Sequence, residues 1–169
     1  MDQQLAQEIL ERVRNRFYGK YRGVVTEVDA TTLRVKATVP AVLGAQTTGW
    51  CRHCVPYAGN NVGFGFLPET GAGVWIEFEG GDVSYPIWTG CYWRDGEVPS
   101  DVTQSVKAIV TAGKFKILID DGAGTVTITD NNQNQITLDS SGITLTRGAS
   151  TIEIGDAEVN INDGALEVM

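Results

Sequence analysis

The sequence predicts an all-β protein: a small closed barrel, then a stack of very short strands that other chains complete, with one short α-helix in front. Three observations carry this. From Tyr18 to about residue 98, apolar residues recur at period two in runs of ordinary strand length. Thirteen of the fourteen aromatics, all three cysteines and all four tryptophans lie before residue 99, so only the first part has the material for a globular core. Seven apolar-x-apolar couplets then close the chain: Ile117/Ile119, Val126/Ile128, Ile136/Leu138, Ile143/Leu145, Ile152/Ile154, Val159/Ile161 and Leu166/Val168. Alternation puts both members of a couplet on one face and sends Thr127, Thr137, Thr144, Glu153, Asn160 and Glu167 to the other. Residues 111–169 hold a single aromatic, Phe115, and no helix pattern. A segment of about 60 residues with so thin a core is marginal alone, so the dry faces await other chains.

Residues 1–18 form the helical segment. Leu5, Ile9, Val13 and Phe17 fall at four-residue steps, with Asp2 as a cap and Arg12, Arg14 and Arg16 toward the C-terminal end. Such a stripe packs either on its own domain or on another subunit. Residues 19–98 form the barrel: GVVTEV, TLRVKATV, GWCRHCVPY, GFGFLP, GVWIEFEGG and PIWTGCYW read as strands between Gly, Pro, Asp and Asn turns. Closure into a barrel removes the exposed edges of an open sheet. Pro99, Ser100 and Asp101 open a linker, 99–110, and the couplet region runs over 111–169.

The charge of −8 is uneven: residues 1–18 sum to zero, 19–98 to −2 and 99–169 to −6. With no basic cluster, this balance argues against nucleic-acid binding. No apolar run has the length of a membrane span, and MDQQLAQEIL lacks the basic start of a secretory signal. The expectation is a chain made in the cytoplasm and carried out only by an assembly. Three cysteines, an odd number, fit reduced thiols.

Candidate chemistry is thin. Cys51, His53, Cys54 and Cys91 are the plausible metal ligands, but one strand turns Cys54 away from Cys51 and His53, so buried or interfacial thiols are the favoured reading. Glu69, Glu77, Glu79 and Asp82 read as a solvated edge rather than an acid/base pair. Gly59, Gly63 and Gly65 lack the Lys-Ser/Thr of a phosphate loop. DDGAG and DNNQNQ lack the ligand alternation of a calcium loop and read as turns. No catalytic, cofactor-binding or metal residue is predicted.

The runs YRGVVTEV, TLRVKATVPAV, GWCRHCVPYAG and FGFLPETGAGVWIEFEGGDVSYPIWTGCYW closely resemble the OB-fold domain of phage baseplate assembly protein V and of contractile-tail central spikes, including the VgrG-like spikes of type VI secretion. The couplets resemble that family's intertwined trimeric β-helix. The resemblance implies an OB-type barrel, a homotrimer with backbone groups satisfied between chains, and a structural spike that pierces a target envelope rather than an enzyme. It makes the fourteen couplet residues the trimer core. Within that reading, the apolar stripe of Leu5, Ile9, Val13 and Phe17 is expected to contact a hub or inner-tube subunit, and Leu166, Val168 and Met169, at the end of the needle, to contact the tip. No lysozyme domain fits between Trp93 and Thr111. The single histidine, His53, cannot supply a His-x-His tip, so a separate PAAR-type cap is implied. Phage tail, type VI apparatus and extracellular injection particle all stay open as the machine, although the short length disfavours a full VgrG-like chain. The alternative is an OB-fold module binding oligosaccharide or single-stranded nucleic acid, against which the charge balance and the couplets argue.

Overall fold

The computed structural model describes residues 3–168 and divides the chain into two compact units, Met1–Glu97 and Val98–Met169. Asp2, expected as a helix cap, and Met169, expected at the tip, lie outside the described residues.

In the first unit, helix α1 spans Gln3–Arg14. Strands β1 (Tyr21–Asp29), β2 (Arg34–Thr38), β3 (Arg52–His53), β6 (Gly73–Phe78) and β7 (Pro86–Tyr92) form a five-stranded sheet in the order β2-β1-β6-β7-β3. A one-turn helix, α2 (Pro40–Leu43), follows β2, and β4 (Tyr57–Gly59) with β5 (Val62–Phe64) makes a separate hairpin. A bulge between Val25 and Glu27 bends β1 against β2, as closure of a small barrel demands. The edges then meet. β3 runs parallel to β7, and Cys51, just before β3, bridges to β2 by donating its N–H to the Val35 carbonyl at 2.8 Å.

Alternation fills the interior. Val35 and Ala37 of β2 and Val74, Ile76 and Phe78 of β6 point inward, joined by Val25, Val39, Cys51 and Trp88. Each fully buried Val or Ile contributes about 1.5–3 kcal/mol relative to exposure.

The second unit is one eight-stranded sheet whose strands lie in chain order, each antiparallel to the next: β8 (Val106–Val110), β9 (Lys116–Asp120), β10 (Thr125–Thr129), β11 (Gln135–Asp139), β12 (Gly142–Arg147), β13 (Ser150–Ile154), β14 (Val159–Ile161) and β15 (Leu166–Val168). The sheet begins at Val106, inside the stretch 99–110 read as linker. Lys107 and Ile109 alternate there like a couplet with one charged member, so the apolar-x-apolar pattern misses the strand. Close pairing constrains the turns: at Gly142, whose φ is 136°, a Cβ would lie 2.0 Å from the Ile154 carbonyl oxygen. Strands β9 to β14 find both ladder neighbours within the same chain. The backbone pairing expected between chains is therefore already made within one, and what the sheet lacks is a cover for its face.

Candidate functional site

The registers align the couplets into two columns across the sheet. One runs Ile109, Ile117, Ile128, Ile136, Leu145, Ile152, Ile161 and Leu166. The other runs Lys107, Ile119, Val126, Leu138, Ile143, Ile154 and Val159, and its backbone register continues to Val168. Lys107 and Ile109 are the members that sequence reasoning missed. The Lys107 ammonium reaches off the column to Asp121 and to the carbonyls of Gln104 and Ser105, so the apolar face ends in an ion pair.

This face is open in the single chain. Most of its members are exposed, from 37% for Ile152 to 45% for Ile119 and 55% for Leu166, whereas the barrel core is close to zero. Among the members whose side chains are described, Val126, Leu145, Val159 and Ile161 are half-buried. An apolar groove on it is lined by Phe115, Ile128, Ile136, Leu145, Ile152 and Ile161. On the reverse face Leu118, Thr127, Thr137, Thr144, Glu153 and Asn160 share a third column, a threonine-rich surface suited to water. A contiguous apolar face of this kind marks an association surface.

The residues expected at the hub part company. Ile9 and Val13 stand on an open stripe of α1, 47% and 68% exposed, and Leu10, missed by the four-residue spacing, joins them at 65%. Leu5's side chain lies outside the described part. Phe17 instead seals the end of its own barrel: its ring packs edge-on against Tyr21 and Phe78 at 6.3 and 6.4 Å, and its N–H donates to the Gly81 carbonyl. It follows the helix by three residues, where the chain has already turned toward β1, so helical spacing misplaces it.

The remaining candidates are dispersed. Cys51 is buried in the core, its thiol 3.2 Å from the Thr48 hydroxyl and pushed up in pKa by burial, while Cys54 and Cys91 are exposed. Among the described residues, no group of three or more His, Cys, Asp or Glu side chains is placed to hold a metal ion. Glu77 pairs with Lys20 and Asp82 with Arg16, each at 3.1 Å. Gly59 and Gly63 belong to the β4–β5 hairpin, whose turn places Asn61 at a φ of 57°. In DDGAG the Asp120 carboxylate accepts the Gly122 and Ala123 N–H groups, and in DNNQNQ Asp130 accepts those of Asn132 and Asn134. Both are turn devices. Among the described residues no helix is long and apolar enough to cross a membrane.

A closed five-stranded barrel and a ribbon of short strands with one uncovered apolar face define a structural protein that associates through its C-terminal sheet. Residues 21–93 match the model of the type VI secretion system/phage-baseplate injector OB domain, and residues 107–167 that of the phage baseplate V C-terminal trimerisation domain. The chain belongs to the baseplate V and type VI secretion spike family. No curated protein matches it. The match to a trimerisation domain covers the sheet with the open face and supports a homotrimer.

Proposed function

We propose that this chain is the homotrimeric central spike of a contractile injection machine. Three OB-type barrels form a ring, and three C-terminal sheets wrap a threefold axis as a β-helical needle, their two-column faces turned inward. The observation that carries the reading is that uncovered face, in a chain whose barrel matches an injector domain. The role is mechanical. Contraction drives tube and spike through an envelope, and stiffness comes from sheets whose ladders are complete and whose faces are covered. The stripe of Ile9, Leu10 and Val13 faces a hub or inner-tube subunit, since its own barrel leaves it exposed. The free edge of β15 and Leu166 receive a PAAR-type cap, and the chain carries no catalytic role.

Sedimentation equilibrium tests the trimer, and complementation of particles lacking the protein tests the spike. A trimer that restores assembly and delivery is expected. A stable folded monomer would refute the reading.

A further inference from the structure

The β4–β5 hairpin stands off the barrel with its apolar side chains open. It forms a two-stranded sheet of its own, and every residue of both strands is exposed. The register sets Tyr57 opposite Phe64 and Gly59 opposite Val62, so Tyr57, Val62 and Phe64 share one face of the ribbon. Phe66 extends that face, its ring packing edge-on to Phe64 at 4.9 Å. Tyr57 is 57% exposed, Val62 53%, Phe64 52% and Phe66 53%. Ala58 and Gly63 pair on the opposite face, which is nearly bare. A lone two-stranded hairpin is marginal in water, so a ribbon this regular needs something to pack on. Its composition says what kind of surface that is. Residues 54–68 hold no charged side chain, although Arg52, His53 and Glu69 flank them. Aromatic side chains without charge mark the centre of a protein–protein contact rather than a solvated loop.

A second copy of the chain fits this surface. In a homotrimer three barrel units are tethered to one C-terminal assembly. Residues 98–105 join each unit to β8, a reach of about 30 Å at full extension. A unit of this length is itself roughly 30 Å across. Neighbouring barrels therefore meet at an effective concentration of about millimolar, enough to complete a contact too small to hold free barrels together. Charge selects the same surface. Residues 19–98 sum to −2 in each copy, so copies repel where acidic surfaces face one another, and the neutral hairpin is where they can close.

We propose that the β4–β5 hairpin of each copy packs through Tyr57, Val62, Phe64 and Phe66 on the barrel of a neighbouring copy, a second contact that holds the three barrels together independently of the C-terminal sheets. The inference rests on the trimeric reading above. The test uses the full-length protein with photoreactive p-benzoylphenylalanine in place of Phe66 and, in a second variant, of Val62; both positions are exposed in the single chain, so the replacement does not disturb a core. The reference is the same group in place of Ala30, an exposed turn residue of the same barrel. After sedimentation equilibrium has established the trimer, irradiation at position 66 or 62 is expected to give covalently linked chains at least about tenfold above the position 30 level. Mass spectrometry should map the linked peptide to residues 19–97, and linkage should be lost together with the trimer in the Leu145→Asp background. Linkage from neither hairpin position above the reference, or linked peptides confined to residues 98–169 or to the same chain, would overturn the hairpin contact and leave the trimer standing. A monomeric wild type would overturn the trimeric reading and this contact with it.

Discussion

Leu145→Asp should abolish the trimer, whereas Thr144→Asp should leave it nearly intact. Leu145 stands in the apolar face between Ile136 and Ile152, while Thr144, one residue earlier, stands on the reverse face between Thr137 and Glu153. Removing the leucine forfeits about 1.5–3 kcal/mol of burial per chain. The carboxylate left in a covered face costs several kcal/mol more, even after relaxation. Summed over three chains the penalty is on the order of 15 kcal/mol, as large as the whole stability of a typical domain at about 5–15 kcal/mol. The Thr144→Asp carboxylate stands on the reverse face, half-buried rather than covered, and its main cost comes from Glu153 directly across the ladder, a like-charge pair worth about 0.2–1 kcal/mol. Sedimentation velocity reports the trimer fraction, and a far-ultraviolet circular dichroism melt reports stability. Equal trimer yield and equal melting for the two variants would show that the face assignment, and with it the covered-face argument, is mistaken.

Deleting residues 2–14 should leave barrel and trimer melting unchanged but reduce incorporation into particles. Extending the deletion through Phe17 should also lower barrel melting, because that ring packs on Tyr21 and Phe78; a circular dichroism comparison of the two truncations decides it. Acid should loosen the turns. The Ser141 hydroxyl and N–H hold Asp139 below the ordinary carboxylate value of 3.8, so its contribution is present above that value and lost as pH falls through the lower folded one. Asp139→Asn keeps an acceptor but cannot titrate, so its melting temperature should fall less steeply below about pH 4 than that of the wild type. Asp130, at the opposite edge, should behave alike: partial desolvation raises its pKa, but the N–H and amide groups of Asn134 and Asn132 outweigh it and the net shift is downward. At the tip, deletion of residues 165–169 should preserve the trimer yet abolish pull-down of a PAAR-type protein; undiminished capture would place that partner elsewhere.

Much of this arrangement is local and therefore legible in the chain. Which side of a strand a residue takes follows from period two, so Ile143 and Leu145 share a face with Thr144 opposed, whatever the neighbouring strands are. Turn chemistry is equally local: Asp120, Asp130 and Asp139 each hold the N–H group two residues on. The packing of Phe17 is not legible in the chain for the opposite reason. Its partner Phe78 and the Gly81 carbonyl lie more than sixty residues away in the chain, and no spacing rule reports such a contact. The same holds for the Cys51–Val35 bridge that closes the barrel and for Lys107, whose place at the head of a column depends on pairing with Ile119. The sequence by itself determined which residues seek cover, because side-chain alternation and apolarity are properties of each short segment. Only the tertiary structure decided which of them find cover within the chain and which stay open, since ladder order and barrel closure arise when distant segments share one sheet.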